Sequence, residues 1–340
     1  MRAIVYRETG GPDVLSLIDK ELRDPGPGEV RVRVHRSGVN PTDWKSRRGA
    51  TVTGDLSTAQ VPNQDGSGVV DAVGPGVDAA LAGTRVWLWE AAYQRPEGTA
   101  QEYALARVHR IVPLPDSASF DLGACLGVPF LTAHRCLTVA EGGPERLSPG
   151  ALTDRVVLVA GGAGAVGNAA IQLARWSGAT VITTVSSPEK ALLAAAAGAD
   201  HVINYRTQDV VAEIGKIAPH GVNAIVEVSP AANAQLDAAV LANSGSIAVY
   251  ANDGGNDLNM PVRAMMGPNA RWQFVLLYTV PERAKEHAVD GVQAALADGA
   301  IRVGREAGLP LHHFALDKAA DAHTAVEEHA VGKVLIDVTD

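Results

Sequence analysis

An apolar run from Val156 to Ala160 meets a glycine turn at Gly161-Gly162-Ala163-Gly164 and passes straight into an alanine-rich helical pattern from Ala165. Few folds accept that order, because a strand apolar on both faces must be covered on both sides. Gly162, Gly164 and Gly167 fill the G-x-G-x-x-G spacing that seats a pyrophosphate on a helix N-terminus. The amides of Gly164, Ala165 and Val166 are the expected donors. Such spacing also arises by chance in Gly/Ala-rich sequence, so the segments around it decide.

Downstream, apolar runs alternate with helical patterns. The spacing predicts strands at 155–160, 180–185, 201–203, 223–228, 245–250 and 272–277, with helices near 165–177, 188–197, 208–217 and 232–242. Regular alternation over this length calls for an α/β, doubly wound parallel sheet of six strands. The second strand ends at Ser186-Ser187, where a site for the unphosphorylated dinucleotide presents an acid to the ribose. A serine hydroxyl donates to a 2′-phosphate, and Lys190 adds a positive charge one helical turn later. Only 7 of the 29 basic residues are lysines, which gives Lys190 weight. These residues point to NADPH. On charge placement alone, Lys190 and Glu189 equally open an exposed helix, and Tyr205 reads either as a pocket side chain or as half-buried packing.

Upstream of the motif, Val30-Arg31-Val32-Arg33-Val34 and Gly68-Val69-Val70-Asp71-Ala72-Val73 alternate between Gly/Pro turns, as in a mainly antiparallel β domain. A chain of 340 residues is long enough for two domains. A net charge of −9 argues against a nucleic-acid surface, and the two cysteines lack C-x-x-C spacing, as expected of a cytoplasmic protein. Charge enters within a few residues of Met1, leaving no room for a signal peptide's apolar segment. Five glycines and Arg175 interrupt the apolar region 156–185, so no membrane span is expected there.

Five segments carry a family resemblance: Ser37-Gly38-Val39-Asn40-Pro41-Thr42-Asp43-Trp44, Asp65-Gly66-Ser67-Gly68-Val69-Val70, Leu126-Gly127-Val128-Pro129-Phe130-Leu131-Thr132-Ala133, the glycine motif, and Gly198-Ala199-Asp200-His201-Val202-Ile203-Asn204-Tyr205. With Gly332-Lys333-Val334 near the end, the chain resembles the zinc-independent medium-chain dehydrogenase/reductases of the quinone oxidoreductase, or zeta-crystallin-like, branch. The resemblance implies a GroES-like β domain built from 1–126 and 280–340 around a Rossmann domain at 127–279. It assigns the 2′-phosphate to Ser186, Lys190 and Tyr205, with Ser187 beside them. It sets Asn40 and Thr132 at the nicotinamide, adds main-chain contacts from Tyr250-Ala251 and Phe274-Val275, and counts Lys333 among the cofactor-binding residues. It also implies a homodimer through 271–277. Lys45 stands where many relatives carry tyrosine.

The metal ligands of the zinc-dependent relatives are not matched: Asn40 takes the place of a cysteine, and Asp65-Gly66 that of a His-Glu pair. His312-His313 and His134 read as packing or surface histidines, so no metal is expected. Hydride transfer to a quinone or enone then becomes the expected chemistry, since the acceptor oxygen needs only a modest hydrogen-bond donor. Asn40 and Asp43 are the catalytic candidates. Asn40 orients the nicotinamide ribose or the acceptor oxygen, or is only an Asn-Pro turn residue; Asp43 holds the loop more than it transfers protons. Trp87, Trp89 and Tyr93 either shape an aromatic acceptor pocket or belong to a strand core. Two other outcomes stay open: a 2-alkenal or enone reductase acting on C=C bonds, and a catalytically weak NADPH-binding structural or regulatory protein.

Overall fold

A computed structural model describes residues 1–50 and 56–339. Part of the loop Trp44–Ala59, where an acceptor is expected to contact the chain, thus lies outside the described residues. The chain divides into two compact units, Met1–Val128 with Leu311–Asp340, and Pro129–Pro310.

In the first unit the long strand Glu29–Val39 is the organiser. It pairs antiparallel with Asp65–Val73 on one edge, while its other edge is shared between Tyr103–Arg107 and the C-terminal strand Lys333–Asp337. Arg85–Leu88 and Ile111–Pro113 extend the sheet on one side, and Leu311–Ala315 closes it on the other. The expected alternation is seen directly: Val30, Val32 and Val34 are fully buried, Val30 and Val32 in one hydrophobic cluster and Val34 in another. Trp87 and Trp89 are buried core residues, Trp89 beneath the Arg110 guanidinium at 4.0 Å, whereas Tyr93 is half-buried.

The second unit is a single parallel sheet. Its strands are β1 (Val156–Ala160), β2 (Thr180–Val185), β3 (His201–Asn204), β4 (Val222–Glu227), β5 (Leu241–Val249) and β6 (Arg271–Phe274). Helices α1 (Ala165–Trp176), α2 (Pro188–Ala196), α3 (Val210–Ile217) and α4 (Pro230–Val240) connect the first five. The order across the sheet is β3-β2-β1-β4-β5-β6, the doubly wound arrangement whose ligands bind at the carboxyl ends of the strands. Leu158, Ile182, Ile225 and Ile247 form its dry centre. Two of the four connecting helices open on a side-chain cap: Ser187 caps α2 by accepting from the Lys190 amide, and Asp209 caps α3 by accepting from the Ala212 amide.

Two boundaries differ from expectation. Segment 280–310 belongs to the second unit, not the first, because the amphipathic helix Glu282–Ala297 packs against Leu131–Leu137 and α1. The last strand also stops at Phe274. Leu276 leaves the sheet, and Leu277–Thr279 turns into a short 3₁₀ segment.

Candidate functional site

All the residues expected at the cofactor's phosphates and ribose lie at the carboxyl edge of the parallel sheet. The glycine turn follows β1, Ser186 and Ser187 follow β2, and Tyr205 follows β3. Tyr250-Ala251 follows β5, while Phe274-Val275 ends β6, with the Val275 amide bonded to the Val249 carbonyl at 2.7 Å.

The turn shows why its residues are small. Gly161 sits at φ +70°, a left-handed conformation that favours glycine. A Cβ on Gly162 would stand 2.1 Å from Thr183 Oγ1, and one on Gly167 2.4 Å from the Gly161 carbonyl oxygen. These two glycines bring α1 down onto its neighbours, β1 and β2. Gly164 differs from expectation: its amide already donates to the Gly161 carbonyl at 3.0 Å, so it closes the turn instead of facing outward. The amides of Ala165, Val166 and Gly167 have no backbone partner among the described residues, as befits the first turn of a helix. They form an anion-ready N-terminus with a positive macrodipole end.

At the end of β2, Ser186, Ser187 and Lys190 are half-buried, and Tyr205 is 52% exposed. The Lys190 ammonium makes no ion pair among the described residues. Thr132 is buried on the helix Leu131–Leu137 in the same unit.

In the first unit, Asn40 begins a second, closed constellation. It ends the strand Glu29–Val39 and caps the helix Pro41–Arg47, with its amide donating to Asp43 Oδ2 at 2.7 Å. Its side chain is held at both ends: Nδ2 donates to Asp65 Oδ2 at 2.7 Å, and Oδ1 accepts from Lys333 Nζ at 2.7 Å, leaving one N–H and one lone pair. Lys333 also reaches Asp65 at 3.3 Å, and the Val128 amide donates to Asp65 Oδ1 at 2.8 Å. Gly127 makes room for that carboxylate, since a Cβ there would meet Asp65 Oδ1 at 2.1 Å. All four polar side chains are buried. Burial pushes the Asp65 carboxyl up, opposed by Lys333 and by its hydrogen bonds. Asp43 is pushed up to about 8, by burial first and then by the charge of Asp65. Sequence reasoning missed Asp65. The signal available was its place at the head of Asp65-Gly66-Ser67-Gly68.

The remaining candidates have ordinary roles. His134 accepts from the Leu147 amide through Nε2, and His313 pairs with Asp337 at 2.8 Å. Lys45 lies over the Trp44 ring at 5.7 Å. Cys125 and Cys136 are free and buried, their thiols pushed up to about 12 by desolvation.

The model of the alcohol dehydrogenase GroES-like domain family matches residues 26–116, and that of the zinc-binding dehydrogenase family matches 165–294. Human quinone oxidoreductase is 30% identical over 342 residues, covering 99% of this chain and 97% of that one. The chain belongs to the quinone oxidoreductase branch of the medium-chain dehydrogenase/reductases. It is therefore an oxidoreductase with a GroES-like and a Rossmann domain. Among solved structures of this type, the Escherichia coli quinone oxidoreductase complexed with NADPH superposes with a TM-score of 0.81 at 25% identity, covering 99% of both chains. An NAD-dependent alcohol dehydrogenase also superposes, with a TM-score of 0.86 at 28% identity over the whole of both chains. Two chemistries thus share this fold, and the site residues must separate them.

The residues do not suit zinc, although one matching family is named for it. No group of three or more His, Cys, Asp or Glu side chains is placed to hold a metal among the described residues. At Asn40 and Asp65 a cationic ammonium already takes both oxygens. The dinucleotide fares better: the unspent amides of α1 and the unpaired Lys190 suit a phosphorylated ligand.

Proposed function

We propose that the protein is an NADPH-dependent, zinc-independent reductase of quinones and related conjugated carbonyl acceptors. It binds NADPH, as its relatives of known structure do. One observation carries the choice of cofactor: β2 is followed by two serines, with the unpaired Lys190 in the first turn of α2 and no acid directly after the strand, where a ribose hydroxyl would need one.

When bound, NADPH supplies a hydride. The amides of Ala165, Val166 and Gly167 hold the pyrophosphate, while Ser186, Ser187, Lys190 and Tyr205 hold the 2′-phosphate. Main chain at Tyr250-Ala251 and Phe274-Val275 lines the nicotinamide end. Asn40 and Thr132 are assigned to orient the nicotinamide. Lys333 supports Asn40, its ammonium engaged by Asn40 and Asp65. Asp43 holds the loop through the Asn40 amide, and the proton that completes reduction comes from solvent.

Turnover tests this reading: loss of the NADPH near-ultraviolet absorbance on addition of ortho- and para-quinones, with 2-alkenals and enones as the competing class. Faster turnover of alkenals would move the enzyme to C=C reduction. Binding without turnover on every acceptor would leave a structural or regulatory protein.

Assembly follows from the sheet edge. Among the described residues β6 has no partner strand besides β5, and Phe274 and Leu276 are 61% and 54% exposed. We assign this edge to a homodimer, since a bare apolar edge invites pairing. Light scattering gives twice the chain mass for the wild type and a single-chain mass for Phe274→Lys; a monomeric wild type refutes the assignment. No helix among the described residues is long and apolar enough to cross a membrane. With two unpaired, buried cysteines, we place the protein in the cytoplasm.

A further inference from the structure

Behind Asp65 runs a buried file of polar side chains that the reaction does not use. His323, on the helix Ala319–Glu327, lies 3.0 Å from Asn63 Oδ1 through Nε2. Asn63 Nδ2 donates to Ser37 Oγ at 2.9 Å, Ser37 Oγ lies 2.7 Å from Thr99 Oγ1, and Thr99 Oγ1 donates to the Asp65 carbonyl at 2.6 Å. His323, Ser37 and Thr99 are fully buried and Asn63 almost so.

The protons in this file can be placed only one way. A backbone carbonyl only accepts, so Thr99 donates to Asp65 and must accept from Ser37. The Ser37 hydroxyl has then spent its proton and accepts from the Asn63 amide nitrogen. That leaves Asn63 Oδ1 facing His323, whose Nε2 must carry the hydrogen. Burial and the nearby Arg47 charge keep this imidazole neutral, consistent with a single ring proton. The result is a one-directional chain: His323 to Asn63 to Ser37 to Thr99 to the main chain of Asp65.

Asn63 pays a conformational cost to stand there. Its φ is +78°, a left-handed backbone in which a buried non-glycine residue is uncommon. Glycine would satisfy the backbone alone. Only a side chain with a donor and an acceptor joins His323 to Ser37, and the Thr99 amide closes the ring by donating to the Asn63 carbonyl at 3.0 Å.

We propose that Asn63 is a positioning residue for hydride transfer. Its amide completes the chain that fixes the Asp65 backbone, so that the Asp65 carboxylate and Lys333 lock the Asn40 side chain in one orientation. The inference rests on Asn40 facing the nicotinamide or acceptor, as proposed above.

Asn63→Gly provides the cleanest test, because glycine accepts the backbone angle while removing both hydrogen bonds. The expected result is a fall of about tenfold in kcat, with KM for NADPH held within about twofold. His323→Leu should match that loss, and His323→Gln, which restores a donor, should recover most of it. Hydrogen–deuterium exchange of the peptides around Asn40–Asp43 and Asp65–Gly68 should quicken by about fivefold in Asn63→Gly. Unchanged kcat in Asn63→Gly, whatever its melting temperature, would overturn the proposal, as would a glutamine at 323 that recovers nothing. If the wild type itself reduces no acceptor, the reading of function fails instead. Exchange then decides the chain on its own: quickened exchange upholds the positioning of Asp65, and unchanged exchange refutes it.

Discussion

The carboxyl edge of the parallel sheet and the Asn40 cluster treat their polar groups in opposite ways. Along the sheet edge, three helix amides and the Lys190 ammonium are left without partners among the described residues. Around Asn40, nearly every donor and acceptor is already engaged: Asn40 with Asp65, Lys333 and Asp43, and Asp65 with Lys333 and Val128. Unspent groups on a rigid edge are ready to bind a charged ligand at little reorganisation cost. Spent groups in a dry interior hold a side chain still. The first region is built to recognise, and the second to position.

Removing Lys333 tests that contrast most severely. Lys333→Met keeps the bulk but leaves the Asp65 carboxylate buried without its counter-ion, which costs about 3–5 kcal/mol of stability. Urea unfolding should show a loss of that size, with NADPH reduction of acceptors falling alongside it. A change below about 1 kcal/mol would mean that Asp65 is neutral in the fold and that the cluster is not ionic.

Lys190→Ala probes the opposite kind of region and should reverse the pattern. Because the ammonium supports nothing else, stability should hold within about 0.5 kcal/mol. NADPH binding should weaken by about 1.5–3 kcal/mol, the worth of a hydrogen bond to a charged group, while NADH binding barely moves. Fluorescence titration with both cofactors measures the difference. Equal losses for NADPH and NADH would remove the 2′-phosphate from this corner.

The two regions were not equally legible from sequence. The recognising edge announces itself because backbone geometry dictates residue type: Gly162 and Gly167 must be small, and the period of apolar runs sets the strands within a few residues. Even there, spacing did not reveal that the Gly164 amide is consumed by Gly161, which is a detail of turn geometry. The positioning cluster is assembled from Asn40, Asp65, Val128 and Lys333, distant in sequence and brought together by strand pairing and, for Val128, by the helical segment Leu126–Phe130. Asp65 carries no local mark of burial, and Lys333 was placed through the family ending rather than through its partner. Helix Glu282–Ala297 was assigned to the wrong unit for a related reason: an amphipathic pattern says that one face is covered, not what covers it.

Asp43 gives the finest test, because the same contrast decides its protonation. Asp43 is 3% exposed and raised to about 8, so its protonation state in the fold is open to a direct test. With its folded pKa above the unfolded one, the folded protein holds a proton that the unfolded chain releases above about pH 4. The stability this contributes is complete in acid and is lost as pH rises towards 8. Between pH 6 and 7 the loss is about 1.4 kcal/mol from this group alone. Asp43→Asn mimics the protonated acid and keeps an oxygen for the Asn40 amide, so its stability should lack that slope. Urea unfolding at pH 6 and pH 7 should therefore show the wild type losing about 1.4 kcal/mol relative to Asp43→Asn as the pH rises, other groups cancelling in the comparison. Parallel changes would mean that Asp43 is ionised throughout, and would return it to the candidates for proton transfer. A wild type that falls away from Asp43→Asn as the pH rises makes Asp43 a neutral clasp on the loop that carries Asn40.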